Sequence, residues 1–322
     1  MTMVQAINDG LKTAMRADPR VVVLGEDVGR NGGVFRATEG LLEEFGERRA
    51  IDTPLAESGI LGTAIGMAVY GLRPVPEIQF MGFLYPAFDQ LASQAARVRF
   101  RSSGRFTCPL VLRTPYGGNV RSPELHSDTL EALCVHSAGL KVVTPADPYD
   151  AKGLLLAAIE DPDPVVFAEP LRLYRASREE VPEGHYTVPI GKAKVVREGT
   201  DVTLVAWGSL VPSALRAAEE AAGQGVSCEV IDLRTLSPVD AETIVQSVER
   251  THRAVVCQEA PRSAGFASEI AATLSERAIL SLEAPVVRVT GYDTPFPLPV
   301  VERSYVPSPA RILAGIREAR DF

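Results

Sequence analysis

The sequence predicts an α/β protein of two domains, each a parallel sheet covered by helices. Three observations carry that expectation. Short β-branched runs alternate with longer helical patterns. The alternation stops in a polar stretch near residues 175–200 and then resumes. The chain has 322 residues, a length that suits two domains of ordinary size.

The elements follow in order. "MVQAINDGLKTAMRAD" (3–18) reads as a helix and "VVVLGED" (21–27) as a buried strand. Residues 58–70 are apolar with no polar stripe at helical spacing, so they read as a helix buried on most sides. "VPEIQF" (75–80) is a strand and "AFDQLASQAARVRFR" (87–101) a helix. "PLVLR" (109–113), "KVVTP" (141–145) and "PVVFAEP" (164–170) are further strands, with a helix over 147–161. "ASREEVPEGHYTVPIGKAKVVREGTD" is punctuated by Pro and Gly and reads as a linker with an edge hairpin. The second series has strands at 202–208, 228–234, 253–260 and 285–291. Its helices fall near 211–223, 239–250, 265–277 and 308–320. Domains of 1–185 and 186–322 are expected.

Composition narrows the function. The chain is 46% hydrophobic and 23% charged, as soluble globular proteins are. A formal net charge of -8 with no basic run argues against a nucleic-acid surface. Cys108, Cys134, Cys228 and Cys257 are far apart and form no C-x-x-C. They read as reduced packing residues of a cytoplasmic protein. No signal-peptide pattern opens the chain, and no apolar run reads as a membrane span.

Open α/β sheets place their sites on loops after strands. Three loops stand out: 25–40, 77–90 and 113–129. No G-x-G-x-x-G follows a strand, and neither a nucleophile elbow nor a Walker sequence occurs. Apart from Asp52 near its start, Glu57 is the one carboxylate in "IDTPLAESGILGTAIGMAVYG" (51–71). An acid at the mouth of such a segment is expected in low dielectric, where its pKa rises. His126 lies in a Gly- and Pro-containing loop beside Ser127 and Asp128, and is either a general acid/base or a solvated loop residue. His136, His185 and His252 read as structural. Phe80, Phe83, Tyr85 and Phe88 are core aromatics, one of which could stack on a flat heterocycle. "AAIEDPDP" (157–164) ends a helix beside Asp161 and Asp163, which fits a capped turn or a hard cation. Ser209 reads as an N-cap, with an anion site as the other option.

"GEDVG", "GGVFRATEGL", "DTPLAESGI", "RPVPEIQF", "PELHSD", "GLKVV", "PYDAKGLL" and "EVIDLRTLSP" occur in that order. Together they resemble the beta chains of the thiamine diphosphate-dependent 2-oxo acid dehydrogenases. The resemblance runs from residue 2 to the C-terminus. It implies a pyrimidine-binding domain followed by a domain like the transketolase C-terminal domain. Glu57 then matches the glutamate that hydrogen-bonds N1′ of the aminopyrimidine, and Phe83 the aromatic that packs on that ring. Gln79 falls near the ring, and Glu26 matches an acid in the channel between paired active sites. His126 matches the histidine that faces substrate and serves acyl transfer to lipoyl. Leu110, Ala158, Ile159, Asp161 and Asp163 match a potassium site of relatives, with Asp163 departing from the asparagine common there.

The chain has no G-D-G, the motif that helps hold the divalent cation of the cofactor's diphosphate. The resemblance therefore implies an alpha chain that holds Mg2+, an α2β2 assembly, and a lipoyl acyltransferase partner. Pyruvate is the expected 2-oxo acid, on "GFLY" and "RSPELHSD". "YPAFDQ" and "GYDTPFP" look more like the branched-chain (2-oxoisovalerate) enzymes. A scaffold subunit without chemistry is the alternative of another class. Glu57, Phe83 and His126 together speak against it.

Overall fold

The computed structural model describes residues 1–118 and 120–322. They form two compact units, Met1–Tyr116 with Leu125–Ile190, and Gly117–Glu124 with Gly191–Phe322. No helix of the described residues is long and apolar enough to cross a membrane.

The first unit opens with α1 (Met3–Ala17), which buries Met3, Val4, Ile7, Leu11, Ala14 and Met15 along one face. That spacing is the helical period, so the opposite face stays polar. The strand β1 (Val21–Gly25) is buried throughout. Then come α2 (Leu41–Phe45), β2 (Ala50–Asp52), α3 (Glu57–Val69) and β3 (Arg73–Glu77). After α4 (Val98–Arg101) follow β4 (Val111–Tyr116), α5 (Glu131–His136), β5 (Lys141–Val143), α6 (Pro148–Glu160) and β6 (Val165–Pro170). The strands lie in the order β5-β6-β4-β3-β1-β2, and the pairs among them are parallel. Asp147 caps α6 by accepting from the Asp150 N–H at 2.6 Å, with Pro148 at the first helical position.

An ion cluster is sealed inside this sheet. Arg113 on β4 donates to Glu77 on β3 at 2.6 Å and to Glu169 on β6 at 2.7 and 2.9 Å. The Tyr174 hydroxyl donates to Glu169 as well. Burial works against the Arg113 charge, but Glu169 and Glu77 outweigh it and hold the guanidinium well above its ordinary value.

Two stretches depart from the sequence expectation. Residues 87–101 are not one helix. A 3-10 segment over Met81–Ala87, containing Pro86, leads into a wide π turn at Gln90–Gln94 and a 3-10 turn at Ala95–Arg97 before α4. The π turn packs on α3, where a Cβ on Gly62 would lie 3.4 Å from the Gln90 side chain. Nor is α3 buried on most sides. Ile60, Leu61, Ala64 and Ala68 are buried, while Ser58, Gly59, Thr63, Gly66 and Val69 are exposed. Small residues gave no polar stripe to the sequence, yet this face is open in the chain.

The second unit starts with β7 (Lys194–Arg197) and β8 (Val202–Ala206), then α7 (Val211–Ala222), β9 (Cys228–Asp232), β10 (Thr235–Ser237), α8 (Ala241–Thr251) and β11 (Ala254–Cys257). It ends with α9 (Phe266–Arg277), β12 (Val287–Val289), α10 (Glu302–Tyr305) and α11 (Pro309–Arg320). The sheet order is β12-β11-β8-β9-β7. β7 is not half of a hairpin. It pairs antiparallel with β9 at the edge, with a register shift between Val195 and Arg197. Ser209 is not an N-cap. It is buried in a 3-10 turn ahead of α7, and its hydroxyl donates to Glu259 at 2.5 Å. Glu259 also accepts from the Gly118 N–H, and Glu302 accepts from the N–H groups of Val120 and Arg121. Buried carboxylates thus satisfy backbone donors of an irregular segment.

Candidate active site

All the catalytic and pyrimidine-facing candidates lie in the first unit. β1 ends at Gly25, and Glu26 and Asp27 follow at the C-terminal end of the strand. Asp27 takes a left-handed backbone (φ 59), a conformation aspartate tolerates better than most residues. Its carboxylate accepts from Asn31 at 2.9 Å and lies 3.4 Å from the Gln79 side-chain nitrogen. Gln79 lies two residues past the end of β3, so the ends of two neighbouring strands meet here.

Glu57 is the first residue of α3 and is half-buried. The chain alone does not enclose it in the low dielectric that the sequence leads one to expect. Glu26 is half-buried as well. Burial pushes its carboxyl above the ordinary value, and Glu57 and then Asp27 add to the push. Glu26 therefore has two carboxyl neighbours, one from α3 and one from its own loop.

The other wall is aromatic. Phe80, Phe83 and His126 form a cluster, with Phe80 4.4 Å and Phe83 4.8 Å from the His126 ring by centroids. Phe80 and Phe83 meet edge to face at 5.5 Å, and Phe35 abuts Phe80 at 5.4 Å. Phe80 is buried while Phe83 and His126 are half-buried, so Phe83 retains accessible ring surface. The His126 loop comes close because of Gly82. A Cβ there would stand 1.9 Å from the Leu125 carbonyl oxygen. Leu125 itself has a positive φ of 65. Beside the cluster, burial and then Asp128 raise the Tyr85 hydroxyl above its ordinary value, which brings Asp128 into the same neighbourhood.

The residues matched to a cation site also lie near one another, and their acceptors are in use. The Ile159 carbonyl accepts from Arg73 at 2.6 Å, and the Leu110 carbonyl from the Val165 N–H at 2.9 Å. The Ala158 carbonyl accepts from the Asp161 N–H at 3.2 Å. The carboxylate of Asp161 pairs with Lys141 at 2.5 Å and that of Asp163 with Arg99 at 2.7 Å. Among the described residues, no group of three His, Cys, Asp or Glu could hold a metal ion.

Sequence reasoning passed over Phe80 as a ring on His126, and over Asp27 and Asp52. Asp52 is the last residue of β2 and accepts from the Gly29 N–H at 2.6 Å and the Arg30 N–H at 3.1 Å. A usable signal was present, because "GEDVG" and "DTPLAE" each carry an aspartate beside the candidate acid.

Comparison with known proteins places the chain in two domain families. The transketolase pyrimidine binding domain family matches residues 1–177, and the transketolase C-terminal domain family matches residues 191–312. The pyruvate dehydrogenase E1 component subunit beta of Staphylococcus epidermidis is 56% identical over 322 residues, covering 100% of this chain and 99% of that protein. The protein of the same name from Bacillus subtilis is 54% identical over the same span. Among solved structures, a split-gene transketolase described as an inactive beta4 tetramer superposes with a TM-score of 0.82 at 23% identity, over 100% of this chain and 98% of that one. A Pichia stipitis transketolase gives 0.72 at 14% identity, over 100% of this chain and 46% of that one. These two likenesses concern the fold. With a pyrimidine binding domain over more than half its length and such relatives over all of it, the chain belongs to the family of the pyruvate dehydrogenase E1 beta subunits.

Proposed function

We propose that the chain is the beta subunit of a thiamine diphosphate-dependent pyruvate dehydrogenase component, active together with an alpha chain. What supports the proposal is that Glu26 lies within electrostatic reach of Glu57, Gln79 approaches Asp27 and Phe83 packs on His126, in a chain 54–56% identical to E1 beta subunits. The residues fit the pyrimidine half of the cofactor. Phe83 offers a half-buried ring for stacking, and Glu57 offers a half-buried carboxyl for the ring nitrogen N1′. Bound thiamine diphosphate supplies a nucleophilic carbon and an electron sink for loss of carbon dioxide from a 2-oxo acid.

The roles of the side chains follow from their chemistry. Glu57 shares a proton at N1′, which only a carboxyl of the right reach can do. Glu26, whose carboxyl is pushed above its ordinary value by burial and then by Glu57, is suited to pass a proton on. Phe80 and Phe83 keep water from one side of His126, whose imidazole can donate or accept a proton toward the acyl group on its way to lipoyl.

The open face of α3, with nothing within 4 Å of a Cβ built on Gly66, suits close approach of a partner chain. The absence of G-D-G supports an alpha chain that holds Mg2+ and the diphosphate. A monovalent cation among Leu110, Ala158, Ile159, Asp161 and Asp163 would share acceptors with Arg73, Lys141 and Arg99. Melting in KCl compared with choline chloride reads this directly, since a bound potassium ion raises the midpoint in KCl alone.

The test of the whole reading is decarboxylation with an artificial electron acceptor. The chain co-purified with its alpha partner is expected to turn over pyruvate in preference to 3-methyl-2-oxobutanoate. The chain alone should bind the cofactor weakly and show no turnover. Full activity without an alpha chain would overturn the assembly, and preference for the branched substrate would move the chain to the branched-chain enzymes.

A further inference from the structure

The turn that carries Glu26 has no regular structure, yet its backbone is pinned at several points. Gly33 N–H donates to the Asp27 carbonyl at 2.8 Å, and Thr53 N–H to the Gly25 carbonyl at 3.0 Å. The largest clamp is Asp52. Its two carboxylate oxygens take the successive N–H groups of Gly29 and Arg30 at 2.6 and 3.1 Å. Consecutive backbone donors converging on one carboxylate make an anion nest, with the anion supplied by the chain itself. The fit leaves no slack, because a Cβ on Gly29 would stand 3.0 Å from both oxygens. Asp52 is well placed for this, since it pairs in register with Gly25 across β1 and β2.

We propose that Asp52 is a positioning residue for the acid site, fixing the Gly25–Arg30 turn so that Glu26 is presented beside Glu57. Asp52 acts through the backbone and not by touching cofactor or substrate. The inference rests on the functional reading above. Aspartate suits the position because it offers two acceptors on one short stem. Asparagine would keep one acceptor and turn an N–H group toward the other donor.

The experiment uses the chain co-purified with its alpha partner, and the variants Asp52→Ala and Asp52→Asn. The first readout needs no cofactor. Deuterium uptake over peptides spanning 24–33 should rise about tenfold in Asp52→Ala and less in Asp52→Asn, while uptake over α1 and α6 stays unchanged. The second is C2 proton exchange of added thiamine diphosphate with Mg2+. A misplaced catalytic group costs up to about a hundredfold, so a loss of about tenfold to a hundredfold is expected for Asp52→Ala, with Asp52→Asn between it and wild type. Unchanged uptake over 24–33 overturns the proposal, and so does wild-type C2 exchange in a variant whose turn has loosened. Uniformly raised uptake with early melting in both variants would make Asp52 a residue of general stability, which also overturns it. If the wild-type assembly shows no C2 exchange, the functional reading fails, and the uptake contrast still decides whether Asp52 clamps the turn.

Discussion

The first unit holds its acids in two different ways. Beneath the middle of the sheet, Glu77 and Glu169 are sealed with Arg113 and every charge has a partner. At the sheet's C-terminal end, Glu26 has Glu57 and Asp27 as neighbours, and burial with like charge drives the Glu26 carboxyl up. A paired buried acid can do little except hold strands together. A half-open acid beside another acid can exchange protons near neutral pH. Burial raises the sealed Glu169 carboxyl too, so the difference between the two groups is the cation that only the sealed one holds.

The largest effect expected is at the open end. Glu57→Gln keeps the shape and one hydrogen bond but removes proton exchange. A loss of about a hundredfold to ten-thousandfold in C2 exchange is expected for the assembled enzyme, with little change in melting. A variant that melts early yet exchanges C2 at the wild-type rate would place Glu57 with the structural acids and erase the contrast. The sealed cluster gives the mirror image. Arg113→Leu leaves two buried carboxylates without a cation, at a cost of about 3–5 kcal/mol in stability. That corresponds to a melting drop of roughly 6–20 °C. Unchanged melting would show that the cluster is not what holds β3, β4 and β6 together.

His126 sharpens the division within the open end, because it lies among Phe80 and Phe83 rather than among the acids. His126→Ala is expected to reduce the lipoyl-dependent overall reaction about tenfold more than decarboxylation read by an artificial acceptor. Equal losses in the two assays would assign His126 to the shared early step.

Legibility in the sequence followed the same line. The strands β1, β4 and β6 were readable because a strand buried on both faces is a continuous apolar run. Glu57 and His126 stood out because each breaks its local pattern. The open face of α3 was not readable, since glycine and valine look alike to a periodicity argument whether or not anything covers them. The helix expected over 87–101 failed where Pro86 and the π turn at Gln90–Gln94 replace the 3.6-residue period. For Asp52 the sequence offered only the aspartate of "DTPLAE", and its role was not readable because its partners are backbone N–H groups, which no residue type announces.

The smallest effect tests the like-charge side of the comparison directly. Glu26 carries a raised carboxyl value, with burial the first cause and Glu57 the second. In the unfolded chain the same group ionises at its ordinary value, so between the two values the folded chain holds more protons than the unfolded one. Stability linked to Glu26 is then present below the ordinary carboxylate value and falls as pH rises through the raised one. Glu26→Gln removes that penalty. The variant is expected to melt at or slightly above wild type at pH 7, by less than about 2 °C because Glu26 is partly solvated, and to converge with wild type near pH 4. Its catalytic exchange should fall even as its melting holds or rises, which is the mark of an acid kept for chemistry. A variant that melts well below wild type at pH 7 would mean that Glu26 is satisfied by a partner, and the open end would then hold its acids as the sealed cluster does.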